Sequence, residues 1–320
     1  MQSLLERELV VITGKGGVGK TTIAAAVGLL AAQRGLRTIV VEVGDQSRVP
    51  ALFAHPAAQP GVETRLGERL SSISIDPDRA LLEWLQALGG RISGRLLASS
   101  GTFQYFAAAA PGAKELVSMV KIWELTQGER WQRRAGYDLV VLDAPATGHA
   151  LGMLGSPHTF GAIARVGPIA GQSQRVRELL EDPARTAYVA VALATEMAVT
   201  EALELEDGLR SQLGRTLSAV ILNGLLPQRF SAADLRLIEA SDGHGRAAGG
   251  RGEPTAAESA VRASAALAAR TVHDRARFQH NQVARVRRRR FNVLAVPFAW
   301  SADIDLPAVR RIADQLGRRM

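Results

Sequence analysis

The sequence predicts an α/β fold built on a mostly parallel central sheet covered by helices on both faces, and three observations predict it. Near-continuous runs of β-branched residues and leucine, such as "ELVVIT", "RTIVVEV" and "YVAVAL", read as strands buried on two sides. Apolar stretches of helical length separate these runs, which is the rhythm of strand–helix–strand crossovers. The 320 residues are 47% hydrophobic and 22% charged, enough to bury one large core of this kind.

The elements follow in order. Residues 8–13 read as the first strand, and a Gly-rich turn leads into an apolar helix from residue 20 to about 34. Gly35 stops that helix, and residues 37–43 form the second strand. Further strands are expected at "SSISI" near Ser71 and over residues 137–143, 186–193, 217–223 and 291–297. Two stretches break the rhythm of this single domain, 1–320. Residues 77–134 show no convincing strand and read as a helical insert, interrupted by "GGRISGRLLASSGTFQYFAAAAPGA". Residues 241–256, "SDGHGRAAGGRGEPTA", read as a flexible linker, and a long helix after it ends in "RVRRRR".

Composition narrows the chemistry. Cysteine is absent, which excludes thiolate zinc sites, iron–sulfur clusters, disulfides and cysteine nucleophiles, and fits a cytoplasmic protein. The most apolar runs, such as "AAAVGLLAA", fall short of the roughly 20 residues a bilayer requires, so no integral membrane segment is expected. The N-terminus is too acidic, and enters a strand too soon, to read as a secretion signal. The net charge of +8 reads first as an arginine-rich solvated surface, with nucleic acid or anionic lipid the less favoured partners. Of 39 basic residues only Lys15, Lys20, Lys114 and Lys121 are lysine, and two of these share one short stretch.

That stretch is "TGKGGVGKTT", residues 13–22. It satisfies G-x-x-x-x-G-K-[ST], the Walker A pattern, in its required context of a strand before and a helix after. The backbone of Gly16, Gly17, Val18 and Gly19 turns its N–H groups toward phosphate oxygens, and the helix beginning at Lys20 adds its positive end. Lys20 reaches the β/γ oxygens, Thr21 takes a Mg²⁺ position, and Thr22 completes the cradle. Asp143 closes a later strand, where a carboxylate can hold the ion opposite Thr21. ATP and Mg²⁺ are therefore the expected cofactors.

Lys15 places the loop more narrowly. "KGGVGKT" resembles the deviant Walker A family of P-loop NTPases, which includes partition and septum-positioning ATPases, the nitrogenase iron protein and the arsenite-pump ATPases. "DAPATGH", residues 143–149, resembles the second switch of the arsenite-pump and tail-anchored-protein-targeting ATPases, the ArsA-like branch. That resemblance implies a dimer in which Lys15 reaches across the interface to offset transition-state charge on the partner's nucleotide. It implies that Pro145, Thr147, Gly148 and His149 sense the γ-phosphate. It also implies that Asn223 recognises adenine and that Pro297 and Phe298, in "VPF", cover the base.

The departures from the family are specific. Its switch I aspartate follows the second strand directly, whereas "VEVGDQSRVPALF" puts Gly44 there and Asp45 one step later. Asp45 is expected to orient the attacking water. The family's zinc-binding and arsenite-binding cysteines are missing, and one unit stands where the pump ATPase has tandem halves. The resulting expectation is a nucleotide-switched ATPase acting as a homodimer, or as a heterodimer with a paralogue, on an unidentified protein or hydrophobic client. Two alternatives stay open: a weakly hydrolytic regulatory subunit paired with a paralogue, and a DNA- or membrane-associated positioning ATPase. Within 77–134 the helices are expected to pack as ordinary core rather than line a cargo groove, because Met119 is the stretch's lone methionine.

Overall fold

Strands covered on both faces need crossovers that return each one beside its neighbour in the same direction, and the chain supplies them. The computed structural model describes residues 4–45, 47–88, 112–127, 136–163, 168–243, 255–289, 291–301 and 303–318. Its strands are β1 (Leu9–Gly14), β2 (Thr38–Val43), β3 (Thr64–Arg65), β4 (Leu70–Ile75), β5 (Leu139–Ala146), β6 (Thr186–Leu193), β7 (Ala219–Leu225) and β8 (Val293–Pro297). They form one sheet in the order β3-β4-β2-β5-β1-β6-β7-β8. Every pairing is parallel except β3 with β4, a two-residue antiparallel edge too short to leave a sequence pattern.

The chain leaves β1 for β2 on one side, returns to place β5 beside β1, and then crosses to β6 on the other side. A switch point of this kind opens a crevice at the carboxyl ends of the strands, where α/β sheets bind ligands. β5 runs on past Asp143 to Ala146, and β7 past Asn223 to Leu225, so neither residue ends its strand. In both cases the extension crosses an irregularity in the ladder, between Ile12 and Gly14 of β1 and between Leu222 and Leu225 of β7.

The helices are α1 (Lys20–Gln33), α2 (Val49–Leu52), α3 (Pro77–Leu88), α4 (Ala113–Thr126), α5 (Thr147–Ile163), α6 (Pro168–Glu181), α7 (Glu196–Leu213), α8 (Ala232–Gly243), α9 (Ala256–Arg288) and α10 (Leu306–Gly317). α1 packs against β1, β2 and β5 and carries α10 on its outer side. A second group, α3 to α7, packs together over β5, β6 and β1. Complete burial of all six β1 residues shows that both faces of the sheet centre are covered. Among the described residues, no helix is long and apolar enough to cross a membrane.

The described helices of 77–134 belong to the core. Leu116, Val117, Met119, Val120, Ile122 and Leu125 of α4 are buried, and Lys121 joins Glu83 of α3 at 2.9 Å. Met119 is fully buried, so it serves packing and not an adaptable surface. Residues 89–111 and 128–135 lie outside the described residues. The ends of the expected linker, residues 241–256, are instead helical, because α8 continues to Gly243 and Thr255 caps α9 in a capping box with Glu258. Residues 244–254 lie outside the described residues.

Gly28 shows how tightly α1 lies on the sheet, since a Cβ there would come 2.5 Å from Cγ2 of Val40. In an exposed helix Gly→Ala gains about 1 kcal/mol, but overpacking a rigid core costs about 1–3 kcal/mol. Gly28→Ala is therefore expected to lower unfolding free energy despite alanine's helix preference, as measured by denaturant melts.

Candidate active site

The loop between β1 and α1 rests on the most deeply buried strand of the sheet, so its backbone is fixed from below. Gly19 caps α1 with φ of +91°, and a Cβ at this position would lie 2.5 Å from Nδ2 of Asn223. That same Nδ2 donates to Val18 O at 2.9 Å, which braces the loop from β7. Val18 itself is buried, so it can offer a ligand its backbone but not its side chain. Gly16 and Gly17 are exposed in the turn before Val18, and Thr22 lies in the first turn of α1.

Lys20 and Thr21 point to the cleft above the sheet. Nζ of Lys20 donates to Lys15 O at 3.0 Å, and burial lowers its pKa against the opposing effect of Asp143. Thr21 Oγ1 donates to Oδ2 of Asp143 at 2.5 Å. Burial pushes the Asp143 carboxyl from 3.8 up to about 6, with Thr21 pulling it back and Glu42 adding to the rise. Its other oxygen, Oδ1, is buried without a hydrogen-bond partner. A buried carboxylate half satisfied in this way fits a divalent cation, with Thr21 and Asp143 as the residues that would hold it.

The cleft over these groups has a volume of about 520 Å³ and is lined by Lys20, Thr21, Glu42, Asp45, Arg48 and Asp143, among others. Glu42 is buried and its pKa is raised by desolvation, although backbone N–H groups of Arg48 and Val49 and the Ser47 hydroxyl all donate to it. It thereby fastens the segment after β2 to the end of the strand. Gly44 is held as well: its N–H donates to Ile75 O at 2.9 Å and its carbonyl accepts from Ser74 Oγ at 2.8 Å. Its φ of +147° suits glycine, so the family's aspartate would be strained in this backbone. Asp45, the next residue, is exposed and faces the cleft.

Lys15 is directed elsewhere. Its Nζ lies 2.5 Å from Glu201 Oε1 and 2.7 Å from the Met197 sulfur, both on α7, and it does not line the cleft. On the β7–β8 side, Phe298 N–H donates to Leu225 O at 2.9 Å, and the exposed Phe298 ring meets Trp300 edge-on at 5.0 Å. Pro297 closes β8 beside it. Gln279 of α9 accepts from Leu226 N–H at 2.8 Å and donates to Gly224 O at 3.3 Å, fastening the loop after Asn223. Further along α9, Arg285 donates to Thr200 Oγ1 of α7 at 3.2 Å. Of the expected switch residues, Thr147 begins α5 with its hydroxyl buried and unpartnered, while His149 is exposed.

One cleft thus gathers Lys20, Thr21, Asp143 and Asp45, with Asn223 against its loop and Lys15 outside it. Sequence reading missed Glu42, Arg48 and Glu201. Only Glu42 left a signal, as a lone charge inside an otherwise apolar strand. The family described as anion-transporting ATPase matches residues 7–170, a span holding the loop, Glu42, Asp45 and Asp143. This chain belongs to that family. The chain is 32% identical over 232 residues to the ATPase BagA of Mycobacterium tuberculosis, covering 70% of this chain and 67% of that one. It is 28% identical over 232 residues to an arsenical pump-driving ATPase of Escherichia coli, covering 67% of this chain but 39% of that protein. The matched span of this anion-transporting ATPase family contains the loop between β1 and α1 and the residues of the cleft above it up to Asp143.

The raised Asp143 pKa fixes the sign of a stability effect. Between about pH 4 and 6 the folded protein keeps a proton that the unfolded chain has lost, so the ionised carboxylate costs stability increasingly as pH rises through this window. Asp143→Asn keeps an acceptor for Thr21 and removes the charge. In protein free of nucleotide and metal it should add about 1–2 kcal/mol at pH 8, the gain vanishing near pH 4, as read by denaturant melts.

Proposed function

We propose that this chain binds ATP with Mg²⁺ in the cleft above β1 and hydrolyses it, and that two subunits pair during the cycle. The observation that carries the reading is the meeting of Lys20, Thr21 and the half-satisfied Asp143 at one open cleft. Thr21 and Asp143 would hold the ion, which when bound would offset the negative charge of the phosphates. Lys20 gives up its bond to the Lys15 carbonyl to take the β/γ oxygens, and the loop N–H groups hold the remaining phosphate oxygens. Asp45 orients the attacking water, with Gly44 setting its position. Asn223, Pro297 and Phe298 take the base.

Lys15 supports the pairing. It points out of its own cleft and is half exposed beside Glu201, so a partner's phosphates can compete for it without unpacking the core. The partner is a second copy or a paralogue, and the paired state presents the client surface. The E. coli relative, more than twice as long as its matched span, is named for driving an arsenical pump. This chain has no cysteine, the residue type that would bind arsenite by thiolate, and its client is an unidentified protein or hydrophobic molecule.

Calorimetry tests the core of the reading. Lys20→Ala should weaken ATP binding by about 100-fold or more, because the β/γ oxygens lose a charge-assisted partner. Retention of parental affinity would remove the site from the cleft. Lys15→Ala should keep ATP affinity while losing most turnover and nucleotide-dependent pairing, followed by mass measurement. Asp45→Asn should bind ATP as the parent does and hydrolyse it at least about 10-fold more slowly. If the parent itself turns over no ATP at any concentration, the regulatory-subunit reading replaces this one.

A further inference from the structure

A guanidinium lines this cleft that the mechanism above leaves unused. Arg48 lies on the segment after β2, and its backbone is held in place by its own N–H, which donates to both oxygens of buried Glu42 at 2.8 and 3.0 Å. The neighbouring Val49 N–H donates to the same carboxylate at 3.1 Å. The anchor therefore sits on a buried group and not on a free loop. Among the described residues no acceptor takes a hydrogen bond or ion pair from the guanidinium itself, and the residue is exposed on the cleft side. Its positive charge is felt across the site, where it opposes the charged form of Lys20 and favours the ionised forms of Asp143 and Glu42.

In the nucleotide-free cleft Arg48 opposes the charge on Lys20, while Asp143 and Glu42 offset that opposition. A polyphosphate reverses the sign, since each cation then meets negative oxygens in place of the other cation. Arginine suits this task because its planar fork can hold two phosphate oxygens at once. Position selects which phosphate. Arg48 lines the same cleft as Lys20, Thr21 and Asp45 but comes from the segment after β2 that Glu42 holds. With Lys20 on the β/γ oxygens and Asp45 at the attacking water, as proposed above, that segment meets the terminal phosphate. The remaining cation of the phosphate loop, Lys15, is held by Glu201 in this subunit. Among the described residues, Arg48 is thus a positive side chain that lines the cleft without a hydrogen-bond or ion-pair partner.

We infer that Arg48 binds the terminal phosphate of a nucleoside triphosphate within its own subunit, a catalytic contact made in cis beside the one assigned to Lys15 in trans. The inference rests on the ATPase reading of the cleft. It gives the isolated subunit a means of distinguishing triphosphate from diphosphate, and it makes part of the charge stabilisation independent of the neighbour.

The test uses Arg48→Ala and Arg48→Lys in the full chain, with calorimetry of ADP and of the non-hydrolysable analogue adenylyl imidodiphosphate, both with Mg²⁺. Arg48→Ala should weaken the triphosphate analogue by about 10-fold and ADP by less than about 2-fold, with Arg48→Lys between parent and Ala. Titrations run below the concentration at which subunits pair should give the same result. Equal losses for both nucleotides, or no loss for the analogue, overturn the inference. A loss seen only once subunits pair overturns it too, since Arg48 would then serve the partner's nucleotide. If the parent binds neither nucleotide, the ATPase reading has failed first, which separates the two failures. Thermal melts of the nucleotide-free variants should lie close to the parent, because among the described residues the side chain gives up no hydrogen bond or ion pair, and its charge effects on Lys20 and on Asp143 and Glu42 oppose one another. Where Arg48→Ala melts early, Arg48→Lys carries the comparison.

Discussion

A negative charge placed where water cannot fully reach it governs the site. Asp143 is delivered by the centre of the sheet, with one oxygen bonded to Thr21 and the other bonded to nothing. Such a carboxylate is costly on its own and becomes favourable once a cation arrives. Glu42, the second buried carboxylate nearby, raises that cost, and its own bonds to the segment after β2 decide where Asp45 and Arg48 stand. The start of α1 and Lys20 stand beside this carboxylate, and the extensive core beneath holds it in place.

The parts of this arrangement that were legible in the sequence are those whose information is local. The strand runs announced themselves because burial on both faces leaves no alternation to confuse. Lys20 and Thr21 were legible because a tight phosphate loop has few sequence solutions, and Asp143 because an apolar strand leading to an acid is an unusual pattern. β3 was not, since two residues carry no periodicity. Glu201 was not either: it lies 186 residues from Lys15 and is one of several glutamates on an amphipathic helix. Arg48 reads in isolation as one more arginine in an arginine-rich chain. What marks it is the lack of a partner, which is a property of three dimensions alone.

Cations around the cleft divide by how firmly each is held. Lys20 is half-buried and committed to the loop, and Lys15 is tied to α7 through one carboxylate and one sulfur. Arg48 is anchored at its backbone and unattached at its tip. The three positive groups therefore differ in how far each can move from its present position. Gly44, directly after β2, is held through its backbone by Ile75 and Ser74, so the course of the chain into Asp45 is set by bonds to the main chain.

The longest helix has a mechanical consequence. α9 contains 33 residues, so it is a rod about 50 Å long. Gln279 fixes it to the loop after Asn223, and Arg285, less than two turns further on, fixes it to Thr200, the neighbour of the glutamate that holds Lys15. Its opposite end exposes Val261 and Leu267. A rod pinned near one end at two points, with the other end reaching outward, acts as a lever. Whatever tilts the outer arm loads the loop after Asn223 and the helix that holds Lys15 together, so a force applied far from the cleft reaches two of the segments around it at once.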